Sequence, residues 1–180
     1  MKAIFYTIPV LAGILGGCQS TNLYTESGTG TVIFPFEIES EARFPCRKIG
    51  FELHKRNTET DEKIPYGYHE FFISNGDTIG QVDALEPGVY EFNEFQCYAR
   101  PGRIFSSGRY FSTPTFVKFT VIEEKFSLSK FSLKGSANYD TSGNSSFRVS
   151  FIYSTKDVNQ HTYESLQNME LPAGWTVANP

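Results

Sequence analysis

The chain has 180 residues, 39% hydrophobic and 20% charged, which suits one globular domain once a leader is removed. Its 17 Phe and 10 Tyr each carry a large apolar area, enough for a substantial core. The net charge is -4, and the basic residues fall in short groups that read as solvated strand edges or loops: Arg47-Lys48, His54-Lys55-Arg56, and Arg100, Arg103 and Arg109. Nucleic acid is therefore excluded as a partner, because phosphate binding calls for a clustered basic surface.

Residues 1–17 read as a leader. Lys2 and the free amine make a positive start, Ala3 to Leu15 is apolar, and the small residues Gly16 and Gly17 precede Cys18. The run is shorter than the ~20 residues of a spanning helix, and Pro9, Gly13, Gly16 and Gly17 weaken it as a permanent one. Leu15-Gly16-Gly17-Cys18 resembles the lipobox of bacterial lipoproteins. That resemblance implies a diacylglyceryl group on the Cys18 thiol, cleavage just before Cys18, and a further palmitate-like chain on the new amine. At ~0.8 kcal/mol per buried methylene, such chains anchor a protein permanently in a membrane. Gln19 stands where inner-membrane lipoproteins commonly carry Asp, so the resemblance implies an outer-membrane anchor facing the periplasm.

With Cys18 given to lipid, Cys46 and Cys97 remain. An oxidising periplasm favours a disulfide between them, worth ~4 kcal/mol on chain-entropy grounds; two separate buried thiols are the alternative. No C-x-x-C occurs and His54, His69 and His161 are scattered, so neither a metal nor another cofactor is expected.

Residues 18–30 are small and polar and read as a flexible tether. A β-sandwich is expected over 31–154. Val32, Phe34, Phe36 and Ile38 alternate with polar residues, and Pro35 suggests an edge strand. Ile49, Phe51 and Leu53 form the next stripe, Arg56 to Lys63 a charged loop, and Tyr68 to Ser74 a third strand. Asn75-Gly76 predicts a hairpin into Thr78–Asp83, and Pro87-Gly88 a type II turn into a long strand, Val89–Ala99. The apolar stripe of that strand changes parity, which predicts a bulge at Asn93-Glu94. Arg109–Ser112, Val117–Val121, Phe126–Leu128, Phe131–Leu133 and Phe147–Tyr153 complete the strands, with a loop at Ser142-Gly143-Asn144. In 155–180, Asp157 with Gln160 resembles a capping box, and Val158, Leu166 and Met169 fit one face of a short helix. Pro172 and Gly174 end it, and Trp175 packs back on the domain. The pattern is that of a mainly β protein, an antiparallel sandwich of about 7–9 strands with one short C-terminal helix. The run Leu85 to Tyr90 is similar to the turn-into-strand of prealbumin-like and carboxypeptidase-regulatory-like domains, which also implies a sandwich.

Catalytic signatures are lacking: the sequence has no G-x-S-x-G elbow, no H-E-x-x-H, no phosphate loop and no dinucleotide fingerprint. Glu123 and Glu124 are neighbours, whose side chains point apart along a strand unless the backbone turns there. The expectation is a non-enzymatic envelope lipoprotein that presents its sandwich to another envelope or secretion component. A second expectation is a glycan-binding module drawing on Tyr66, Tyr68, Tyr98, Tyr110 and Phe111 for stacking on sugar faces, with two or more of Tyr66, Tyr98 and Tyr110 exposed on one patch. A hydrolase would need a cleft gathering His69 or His161 with a carboxylate.

Overall fold

The computed structural model describes residues 23, 25–40, 44–74, 76–139, 141 and 145–178. The leader, the lipobox, Cys18, tether residues 19–22 and 24, Asn75 and the 142–144 loop lie outside them. Among the described residues the strands are Gly30–Ser40 (β1), Cys46–Arg56 (β2), Lys63–Phe72 (β3), Ile79–Leu85 (β4), Gly88–Ala99 (β5) and Tyr110–Val121 (β6). Lys125–Leu128 (β7), Phe131–Tyr139 (β8), Ser145–Tyr153 (β9) and Thr176–Val177 (β10) follow, and one helix, Lys156–Gln167 (α1), precedes β10. They form a sandwich of two sheets. One has the order β3-β2-β5-β6 and is antiparallel throughout. The other runs β10-β7-β1-β8-β9 with β4 also on β1, and it is mixed. Its β1–β7, β1–β8 and β7–β10 pairs are parallel.

Aromatic rings lock the two sheets together. Phe34 of the mixed sheet sits edge-on to Phe119 at 5.5 Å, and Phe151 contacts Phe92 at 5.2 Å. Phe92 in turn stacks on Phe51 at 4.2 Å. Edge-to-face and offset pairs like these add about 0.5–1.5 kcal/mol each beyond burial alone. A second, smaller cluster lies on the other face of the mixed sheet, where Ile33 and Phe126 meet Leu166 of α1 and Trp175 of the tail. Trp175 packs on Phe126 at 4.9 Å, and Leu23 also lies against this cluster. The mixed sheet is thus covered on both faces at β1 and β7, while Lys134 of β8 and Arg148 of β9 stay exposed.

That layering corrects the reading of β1 as an edge strand. Thr31 to Phe36 are all buried, and β1 has partners on both sides. Phe36 donates its N–H to the Thr78 carbonyl on the β4 side at 2.8 Å, so the Pro35 nitrogen faces the opposite edge. There the ladder is interrupted between Ile33↔Leu128 and Phe36↔Leu133, and no donor is needed.

Other expectations need correction too. The Asn75-Gly76 turn does not make a hairpin: β3 belongs to the antiparallel sheet and β4 to the mixed one, so the chain crosses between layers there. Gly76 does take positive φ, at 86°. The Pro87-Gly88 turn likewise passes from β4 to β5 across the sandwich. Gly88 has φ 156°, not the value near +80° of a type II turn, and Ala84 takes a left-handed φ of 53° instead. The third strand begins at Lys63 rather than Tyr68, and Arg109–Ser112 is not separate but the start of β6. β6 is an edge strand, which accommodates Pro114. The helix is capped by Thr155, whose hydroxyl accepts from Val158 N–H at 3.3 Å, two residues before the expected box. Arg100 is buried rather than solvated; it donates to the carbonyls of Phe44 at 2.7 Å and Ile73 at 2.8 Å. The bulge at Asn93-Glu94 is present as a register shift between Phe92 and Glu94.

Cys46 and Cys97 form a disulfide between neighbouring strands β2 and β5, with Cα atoms 5.5 Å apart and both residues fully buried.

Candidate functional site on the outer face of the antiparallel sheet

The inner face of the β3-β2-β5-β6 sheet carries the core, so alternation sends the intervening side chains outward. At one end of this outer face an aromatic platform forms. Tyr110 of β6 lies opposite Tyr98 of β5, their rings 5.4 Å apart. Tyr68 of β3 lies flat over Gly50 of β2. A Cβ at position 50 would come within 1.7 Å of the Tyr68 hydroxyl oxygen, so only glycine leaves room for the ring. The Tyr68 hydroxyl donates to that of Tyr98 at 2.9 Å, and Tyr98 donates onward to Gln96 Oε1. Partial burial, the bond to Tyr98 and the charges of Glu70 and Glu52 push the Tyr68 phenol well above its ordinary value of 10.0, so it stays a neutral donor. Lys48 pairs with Glu70 and holds its ammonium 4.4 Å from the centre of the Tyr98 ring, a cation–π contact. Arg47 covers Phe72 at 5.6 Å in the same way. Tyr110 is 47% exposed, Tyr68 42% and Phe72 54%, while Tyr98 is half-buried between its neighbours.

Of the three tyrosines expected to share a patch, Tyr98 and Tyr110 do and Tyr66 does not. The β2–β3 ladder slips between Leu53 and His54, leaving Tyr66 as the extra residue of β3. Its ring turns to the core side and meets Tyr90 edge-on at 5.0 Å, and its hydroxyl accepts from Glu86 N–H at 3.2 Å. Tyr68, also a candidate from the sequence, does stand on the platform, over Gly50, the one small residue in the outward stripe of β2. Phe111, the remaining candidate, packs instead with Phe105 and Phe147.

At the other end of the same face, Glu91 is fully buried although its strand parity points it outward. Arg56 lies over it, Nη1 to Oε2 3.3 Å, and Lys63 closes on its other oxygen. These are ion-pair contacts without hydrogen-bond alignment, since both carboxylate oxygens lack a formal hydrogen-bond partner. Arg56 also reaches Asp61 at 3.0 Å. Between the two ends the β5 bulge opens a dimple of about 130 Å³ beside His54, Glu52 and Glu94, too small for more than a few waters.

Of the three histidines, His54 is the one at the dimple, beside Glu52 and Glu94. His69 stacks on Tyr66 at 5.8 Å and lies near Asp83; burial lowers its pKa below the ordinary 6.5, and the Asp83 charge partly opposes this. His161 is exposed on α1. Among the described residues no group of three His, Cys, Asp or Glu is placed to hold a metal. What the face offers chemically is stacking from three tyrosines, with hydroxyl, amide, ammonium and carboxylate groups at their rims. Comparison with protein-family models, curated proteins and solved structures finds no match to this chain.

Proposed function

We propose that this chain is a lipid-anchored, non-enzymatic binding module of the cell envelope. On this reading acyl chains on Cys18 hold it to the periplasmic side of the outer membrane, and the outer face of the antiparallel sheet engages another envelope or secretion component. The observation that carries the reading is the exposed set Phe72, Tyr68 and Tyr110 bordered by Arg47 and Lys48. Aromatic residues and arginine are the types that dominate the centres of protein interfaces. Photocrosslinking from position 112, at the rim of the platform, in intact envelopes tests it. One discrete adduct, lost in Tyr110→Ala/Phe72→Ala, is the expected result; uncrosslinked monomer alone would refute it. The anchor is tested separately. Cys18→Ser should move the protein out of the membrane fraction, and unchanged fractionation would overturn the lipid assignment.

A second reading, a glycan-binding module, is favoured by the specific packing of Tyr68, Tyr98 and Tyr110 around Gly50. Sugar faces stack on such rings while hydroxyls bond to groups like Gln96 and Glu70. Gly50→Ala serves as the probe, because the added methyl must displace the Tyr68 ring. Under this reading, binding of an oligosaccharide panel by calorimetry falls at least tenfold in the variant. No measurable heat with any oligosaccharide in the unmodified protein would end it.

A further inference from the structure

A second cleft, of about 880 Å³, opens at the β6 edge of the sandwich, between β6, β7 and the start of α1. Three lysines line it, Lys118, Lys130 and Lys156, and no Asp or Glu does, in a chain whose net charge is -4. All three lysines are exposed, and none takes part in an ion pair that the structure shows. Apolar surface lies beside them. Phe116 is 54% and Tyr153 72% exposed, and Tyr153 stacks on Phe131 at 4.5 Å to form one wall.

The floor holds the observation that separates this cleft from a merely basic surface. Ser127 is 95% buried, and its hydroxyl has no hydrogen-bond partner; the same holds for the buried hydroxyl oxygen of Ser154 just before α1. A buried hydroxyl without a partner costs about 1–3 kcal/mol, which a ligand that accepts its hydrogen bond would recover. The start of α1, where Thr155 caps the Val158 N–H and Asp157 lies in the first turn, borders the same cleft.

We infer that this cleft binds an amphiphile with one anionic head, phosphate or a group like it, whose apolar chain lies along Phe116 and Tyr153. Three lysines with no Asp or Glu among the other lining residues select the negative head, and the serine hydroxyls donate to its oxygens. The exposed rings select against a bare anion. The volume falls within the usual range of about 300–1,000 Å³ for small-molecule sites. The occupant is a monomeric amphiphile seated in the cleft rather than the surface of a bilayer. This assignment is independent of the tyrosine platform.

The test uses the full chain on phosphatidylcholine vesicles with a diazirine-bearing octyl phosphate, irradiated and mapped by mass spectrometry. Saturable labelling of the peptides holding Phe116 and Tyr153 is expected. Octyl phosphate should compete, and inorganic phosphate should compete at least tenfold more weakly. The variant Lys118→Gln/Lys130→Gln/Lys156→Gln should need at least tenfold more probe for half-labelling at an unchanged melting temperature. A trimethylammonium analogue of the probe should label far less. Equal competition by inorganic phosphate would overturn the amphiphile, and insensitivity to the three lysines would overturn the anionic head. Labelling that never saturates, or that appears only when phosphatidylglycerol is added to the vesicles, would replace the cleft with simple membrane adsorption.

Discussion

Reduction of Cys46–Cys97 is the perturbation whose size can be worked out most directly. The bond closes a loop of sequence separation 51, and the loss of chain entropy in the unfolded state makes it worth about 4 kcal/mol at 25 °C. For a folded unit of this size, 1 kcal/mol moves the melting temperature by about 2–4 °C, so losing the bond should lower it by about 8–16 °C. Circular dichroism melts of the oxidised protein, the reduced protein and Cys46→Ala/Cys97→Ala make the comparison. Both cysteines are fully buried in the core beside Phe95, so the double alanine variant should fall slightly further than the reduced form. Single Cys46→Ala should match the double variant closely, because the bond is already lost. Urea unfolding adds an independent readout, since an unfolded chain without the cross-link exposes more surface and its m-value rises. A reduced protein melting within about 3 °C of the oxidised one would refute the entropy argument.

Three other perturbations follow from the packing. Phe92→Ala removes a ring shared by Phe34, Phe51 and Phe151, and should cost about 3–5 kcal/mol by urea denaturation. Arg56→Met/Lys63→Met leaves the Glu91 carboxylate buried without a cation and should cost about 3–5 kcal/mol. Lys63→Met alone should cost far less, because Arg56 remains; equal losses in the two variants would contradict the shared-carboxylate account. Burial favours neutral His69 in the folded state, so the unfolded chain takes up this proton first as pH falls. Its contribution is intact above pH 7 and is lost as pH drops below the unfolded value of 6.5 toward the lower folded one. His69→Gln should therefore lose less melting temperature than the unmodified protein between pH 7.5 and 5.5, a difference that parallel melts read directly.

How far the sequence could be read depended on whether a signal was local. Alternation in Ile49, Phe51 and Leu53 marks one buried face, and those three residues do face the core. The parity change before Phe95 foretold the β5 bulge because a bulge is a local event. Gly76 and Gly88 both take positive φ, yet neither turn makes a hairpin, because torsion angles say nothing about which sheet receives the next strand. Ile33 between Val32 and Phe34 was the available sign that β1 is covered on both sides, since a continuous apolar run marks a strand buried on two faces. On the platform, Tyr98 was legible as an outward residue of a long strand, while Tyr110 fell in what read as a short one. Tyr66 and Tyr68 were both candidates, but which of them joins the platform was not legible, because both have the same parity and only the slip at Leu53 separates their directions.

The placement of β1 also dictates an order of assembly. β2 with β3, and β5 with β6, join strands close in sequence, so the antiparallel sheet can form early. Thr31 must wait for Phe126 and Phe36 for Leu133, and β10 at the far end then closes on β7. Until those residues arrive, β1, buried without a break from Thr31 to Phe36, has β4 as its one sheet partner among the described strands. A chain of this kind completes its second layer last, when β10 closes on β7.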